Sequence, residues 1–212
     1  MLRRFWPTQP RCHLCDYQPA LPNLALCLGC HQDLPWRLDH IRLDQIDIQV
    51  IFDYQWPIDR LLHLFKYQQR LDLLPILRHA LQQQPRVEVD AIVAMPCSAA
   101  RLRQRGYNQA HLISQQLSQL WQGPIWPHLY RIKHQPAQQR LDRAERLSNL
   151  QDAFAVTPQQ LPPARLLLLD DVLTTGSSFC SAAQTLRQAG ADHLHGLIIA
   201  SHHQAAPTNG KN

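Results

Sequence analysis

The chain has 212 residues, 45% of them hydrophobic and 17% charged, with a formal charge of +5 at pH 7. That is the balance of a globular protein with one sizeable domain, or one domain of about 100 to 150 residues plus a small appendage. It excludes a low-complexity polymer, and no run approaches the ~20 consecutive apolar residues that a membrane span requires.

The N-terminus, "MLRRFWPTQPRCHLC", begins basic but meets Pro7 and Pro10 before an apolar stretch of signal-peptide length develops, so a cytoplasmic location is expected. Four of the six cysteines follow as two pairs, Cys12 with Cys15 and Cys27 with Cys30. Thiolates two residues apart on a tight turn reach one metal, and two such turns supply the four soft ligands of a structural zinc site. An iron–sulfur cluster would use the same ligands. A disulfide framework is disfavoured without a sign of export, and a redox dithiol would need one pair only. The segment carries Pro19, Pro22 and Gly29 and is too short to bury a core of its own, so the metal would stand in for one. His13 and His31 are spare donors beside a full thiolate shell. Cys97 and Cys180 stand alone and read as small packed residues.

A connector, "HQDLPWRLDH", leads into the main domain, giving a division into a metal-binding module and connector at 1–45, an α/β domain at 46–203 and a disordered tail at 204–212. "IQVIFDY" predicts a strand over 48–54. In "PIDRLLHLFKY", apolar residues at helical spacing predict a helix that opens at Pro57. "RLDLLPILRHALQQQ" predicts a second, kinked at Pro75. "VDAIVAMP" predicts a buried parallel strand over 89–96. Ala110, Ile113, Leu117 and Leu120 mark one face of a helix capped by Asn108. "RLLLL" is a further buried strand ending at Asp170. The next helix shows Phe179, Ala182, Ala183 and Leu186 on one face and stops at Gly190. "HLHGLIIAS" closes the pattern as a strand. Strands alternating with helices at these lengths predict a parallel sheet flanked by helices, with its site at the carboxyl ends of the strands.

The charge is clustered. Arg101, Arg103 and Arg105 form one group; Arg131, Lys133, Arg140, Arg143 and Arg146 outnumber Asp142 and Glu145 in another. Two local clusters favour a polyanionic ligand over a uniformly basic shell, although either could be a solvated face.

The stretch "LLLLDDVLTTGSS", 166–178, carries the chemistry. Asp170 and Asp171 leave the strand where ligands bind. Thr174, Thr175, Gly176, Ser177 and Ser178 turn into a helix whose N–H groups and hydroxyls can cradle a phosphate, with Gly176 permitting close backbone approach. Carboxylates repel a phosphate, so they need another partner, and ribose hydroxyls donate hydrogen bonds to them. Phosphate on the loop and ribose over the acids describe a ribose 5-phosphate. A Walker-type loop is excluded, since no G-x4-G-K-[ST] occurs. A polar N-cap with a turn would need one of these polar groups rather than six.

This stretch resembles the phosphoribosyl pyrophosphate (PRPP) signature of type I phosphoribosyltransferases. With "RLRQRGYNQAHLIS" at 101–114, "RIKHQPAQQRLDRAERLSNLQDAFAV" at 131–156 and the cysteine pairs, the chain is similar to the ComF, or competence protein F, family, especially its GntX branch. The resemblance runs from Cys12 to about Ala200. It implies a zinc-bearing module on a phosphoribosyltransferase-like domain and a role in DNA uptake or in the use of external DNA as a nutrient. It further implies Asp170 and Asp171 on the ribose, residues 174–178 on the 5′-phosphate, a pyrophosphate loop starting at 95–98, and a hood over the site from 131–146. The segment "MPCS" departs from the family, with Cys97 and Ser98 where more apolar or basic side chains are expected.

Phosphoribosyl transfer passes through an oxocarbenium-like state as pyrophosphate leaves. Such an enzyme positions partners and neutralises charge, and needs no nucleophilic Ser, Cys or triad. Mg²⁺ with PRPP is implied, and Arg101, Arg105 or Lys66 could meet the pyrophosphate. Arg101 and Arg105 would share a face of a helix; Lys66, at a helix end, could instead only complement the dipole. Competing expectations are an active transferase in nucleobase salvage and an accessory protein of the DNA-uptake machinery that grips single-stranded DNA, with Tyr107 and Tyr130 stacking on bases.

Overall fold

In the computed structural model, residues 10–132 and 153–202 are described. Lys133, Arg140, Asp142, Arg143, Glu145 and Arg146 of the expected hood, and the tail 204–212, lie outside them.

A five-stranded sheet organises the chain, in the order β1 (Trp36–Leu43), β2 (Ile46–Asp53), β7 (His193–Ser201), β6 (Arg165–Leu173), β3 (Ala91–Ala94). The last four are parallel, and β1 pairs antiparallel with β2. The parallel strands are the apolar runs of the sequence, and Leu166, Leu167, Leu168 and Leu169 are fully buried in one block. Strands covered on both faces require such runs. β7 has the bounds expected from "HLHGLIIAS", while β6 continues three residues beyond its expected end at Asp170 to Leu173. Residues 36–43, expected as connector, form β1. Its turn, Asp44 and Gln45, has positive φ at both positions, the geometry of a tight two-residue hairpin.

The helices are α1 (Leu28–Gln32), α2 (Ile58–Tyr67), α3 (Leu74–Gln82), α4 (Ala99–Arg105), α5 (Gln109–Trp121) and α6 (Ser177–Gln188). α2 buries Ile58, Leu61, Leu62, Leu64 and Phe65. Pro75 sits in the first turn of α3, after a 3-10 turn at Leu71–Leu73; it starts that helix instead of kinking it, because its missing N–H costs nothing there. α5 packs on β3 and β6, and α3 packs on α5. α6 reaches the sheet at Gly196, where an added Cβ would lie 2.7 Å from Ile48 Cγ1 and 3.0 Å from Phe179 Cζ. A short antiparallel pair, β4 (Leu129–Arg131) with β5 (Phe154–Val156), flanks the region expected as the hood.

The cysteine module docks through the two spare histidines. His31 Nε2 lies 3.1 Å from His79 Nε2 on α3, and His13 Nδ1 lies 2.9 Å from Asp72 Oδ2. No helix among the described residues is long and apolar enough to cross a membrane.

Candidate functional site

Strand β6 delivers Asp170 half-buried and Asp171 buried at the carboxyl edge of the sheet. The backbone N–H of Asp171 donates to Asp170 Oδ1 at 2.8 Å. Burial first, and then the Asp171 charge, push the Asp170 carboxyl up to about 8. Lys66, in the last turn of α2, reaches across to Asp171, with Nζ 3.0 Å from Oδ2. α2 is fixed there by the Tyr107 hydroxyl, which donates to the Phe65 carbonyl.

The neighbouring strand β3 ends beside Asp170, and the Met95 N–H continues the ladder to Leu169 O at 2.8 Å. Asn108 occupies the N-cap position of α5, but its side chain caps nothing: Nδ2 donates to Met95 O at 2.9 Å and so holds the loop 95–98. Ser98, one of the two unexpected residues of "MPCS", caps α4 by accepting from the Arg101 N–H at 3.2 Å. Residues 101–105 are helical, as the shared face of Arg101 and Arg105 requires. Arg101 is exposed, and Arg105 is buried, bonded to Gln109 Oε1 at 3.0 Å and stacked 4.7 Å over the Tyr67 ring.

These elements enclose a cavity of about 400 Å³ lined by Asp170, Asp171, Thr174, Ser178, Lys66, Arg101, Arg105 and Arg131, together with Tyr54 and His202. This lies within the size range of small-ligand sites. Of the loop residues, Thr174 and Ser178 line the cavity, whereas Thr175 Oγ1 and Ser177 Oγ lie 3.1 Å apart and bond one another. Gly176 has φ +76°, and an added Cβ there would collide with Leu43 Cδ2, so its freedom admits the β1 end as well as the turn. Arg131 enters from β4 and is held below its ordinary value by burial and by Arg101. Cys97 lines the same cavity, its thiol pushed up by burial. Of the expected stacking rings, Tyr107 packs on Phe65 at 5.7 Å, while Tyr130 is 44% exposed.

Lys66 was expected either to meet the pyrophosphate or only to complement a helix end, and Arg131 as the start of the hood; neither was expected beside the acid pair. Tyr54 and His202 gave no signal, because each reaches the cavity only through sheet pairing. Their rings meet in a tilted contact, with centroids 4.4 Å apart.

At the other end of the chain, the Cys12, Cys15, Cys27 and Cys30 sulfurs all lie within 4.8 Å of one another, and Cys15 Sγ is 3.9 Å from Cys27 Sγ. Tetrahedral zinc with Zn–S bonds of ~2.3 Å sets its sulfurs about 3.8 Å apart, so the four thiols fit that ion. The backbone N–H groups of Gln18 and Tyr17 lower the Cys15 thiol to about 6, and Cys27 Sγ accepts from the Cys30 N–H at 3.4 Å. Thiolate is thus favoured at Cys15, while burial and the neighbouring sulfurs push the Cys30 thiol up.

Fold and sites together define an α/β protein with a cationic, acid-paired cleft at the carboxyl ends of its strands and an appended four-cysteine module. The chain is 34% identical to competence protein F of Haemophilus influenzae, over 84% of this chain and 85% of that protein. It belongs to the competence protein F family. It is also 31% identical to the DNA utilization protein YhgH of Salmonella typhimurium and 29% identical to that of Escherichia coli K12, in each case over 86% of this chain and 78% of the relative. No family model matches the chain. Among solved structures, adenine phosphoribosyltransferase from Leishmania tarentolae is similar with a TM-score of 0.44 and 10% identity, over 78% of this chain and 96% of that one. Orotate phosphoribosyltransferase from Aeropyrum pernix is similar with a TM-score of 0.38 and 18% identity, over 79% and 76%.

Proposed function

We propose that the cleft binds PRPP or another ribose 5-phosphate, and that the chain is a phosphoribosyltransferase-like protein of DNA uptake or external-DNA use, working in the cytoplasm. The observation that carries this reading is the meeting, in one cavity, of an acid pair, a hydroxyl-bearing helix start and four cations. Asp170 and Asp171 hold the ribose, Asp171 accepting from one hydroxyl and Asp170, its carboxyl raised by burial, hydrogen-bonding another. The start of α6, with Thr174, Thr175, Gly176, Ser177 and Ser178, takes the 5′-phosphate. Arg101, Arg105 and Arg131 face the pyrophosphate, whose charge they neutralise as it departs. Mg²⁺ accompanies the pyrophosphate of PRPP and offsets part of its charge. Zinc on Cys12, Cys15, Cys27 and Cys30 supplies the cohesion that so small a module lacks. The DNA context rests on the relatives' names.

Asp170→Asn with Asp171→Asn tests the ribose role: PRPP affinity is expected to fall at least about tenfold, the effect of losing charge-assisted bonds, in a variant whose circular dichroism is unchanged. Undiminished affinity in the folded variant would remove the acids from the ribose. A second reading, a grip on single-stranded DNA with competence machinery as partner, is favoured by the Tyr67 ring, which is 57% exposed at the cleft and backed by Arg105. Binding of an oligonucleotide that PRPP does not displace would support it.

A further inference from the structure

Lys66 is more deeply committed than a lysine at a helix end needs to be. Such a lysine complements the helix dipole from solvent. Here the side chain is only 18% exposed and its ammonium lies 3.0 Å from Asp171 Oδ2, itself on a side chain 11% exposed. The pair joins the end of α2 to the end of β6, and α2 is anchored by the Tyr107 bond to Phe65 O and by five buried apolar residues. The ammonium is therefore delivered to the acids by packed structure. An ammonium has three donors, so it can keep Asp171 and still donate to a sugar oxygen.

The charge of the cavity points the same way. Among the described residues, Lys66, Arg101, Arg105 and Arg131 line the cavity with Asp170 and Asp171, a formal excess of three positive charges while Asp170 holds its proton and of two once it ionises. A phosphate monoester carries about −1.5 to −2 at neutral pH. The cleft's own excess thus suffices for a sugar monophosphate with no added cation, whereas the pyrophosphate of PRPP brings surplus negative charge.

We propose that Lys66 is the built-in cation of the acid pair, so that this cleft holds ribose 5-phosphate without a divalent ion and calls on Mg²⁺ only for the pyrophosphate. This rests on the sugar-phosphate reading of the cleft. Lys66 acts as a specificity-determining residue: it makes monophosphate binding metal-independent, and it holds Asp171 oriented toward the ribose.

Calorimetric titration of the full chain with ribose 5-phosphate, in EDTA and again in Mg²⁺, tests this in the native protein and in Lys66→Gln. The native protein is expected to bind with the same affinity in both buffers. Lys66→Gln is expected to bind about ten- to hundredfold more weakly in EDTA, the effect of losing one charge-assisted bond, and to recover when Mg²⁺ is added. A merely structural role for Lys66 predicts no such recovery, and an unchanged melting temperature of the variant separates the two. Native binding that requires Mg²⁺, or full binding by Lys66→Gln in EDTA, would overturn the inference while leaving the ribose 5-phosphate site standing. Failure of both proteins to bind ribose 5-phosphate and PRPP in either buffer would instead bring down the sugar-phosphate reading itself.

Discussion

Asp170 keeps its proton near neutral pH because burial and the adjacent Asp171 oppose its charge, raising it to about 8 from an ordinary 3.8. A protonated Asp170 can donate to a ribose oxygen while Asp171, paired with Lys66, accepts from another, so two adjacent acids take different roles toward one sugar. The raised value has a consequence for stability. Between 3.8 and 8 the folded chain holds a proton that the unfolded chain releases, so stability falls as pH rises through that window and levels off above it. Asp170→Asn is therefore expected to melt higher than the native protein at pH 9, the gap closing by pH 4; a gap independent of pH would contradict the buried, raised carboxyl. At this scale the acids and the loop hydroxyls were legible as neighbours in one stretch, and Arg101 and Arg105 as one helical face; that the two groups line one cavity depends on the pairing of β3 with β6. Tyr54, Asn108 and His202 were not, since their roles depend on partners in other elements: Asn108 looked like a cap, and its amide instead holds the Met95 carbonyl.

Among the elements, the parallel strands and the amphipathic helices followed from apolar runs and helical spacing, and β7 matched to the residue. β1 did not, because it intersperses Trp36, Leu38, Ile41 and Leu43 with Arg37, Asp39, His40 and Arg42 and its inward side carries both Arg37 and Asp39, as an edge strand can. That strand bears on the phosphate loop, since Leu43 fills the space beside Gly176. Gly176→Ala adds backbone strain of about 1–2 kcal/mol to a collision, and is expected to lower Tm by at least about 2–8 °C. Gly106 also has positive φ, +82°, but nothing lies within 4 Å of an added Cβ. Gly106→Ala is therefore expected to cost less, and equal losses at the two positions would show that Leu43 does not matter.

The whole molecule is a parallel α/β body to which a small metal-type module is fixed at α3. The four cysteines were legible from spacing, but the docking was not: His13 and His31 looked like spare ligands and are engaged with Asp72 and His79. Replacing Cys12, Cys15, Cys27 and Cys30 by serine is expected to lower Tm with loss of one zinc per chain, while PRPP affinity measured below the new transition stays within about twofold, because the module and the cleft share no residue. Unchanged melting, with no zinc found by metal analysis of the native protein, would contradict a structural ion. The most direct test of the account is calorimetric titration of the zinc-loaded chain with PRPP and Mg²⁺, with and without a short single-stranded oligodeoxynucleotide. Saturable binding of one PRPP per chain, abolished by Asp170→Asn with Asp171→Asn, is the result the account predicts. Tight oligonucleotide binding with no PRPP binding would contradict it and make the cleft a strand grip.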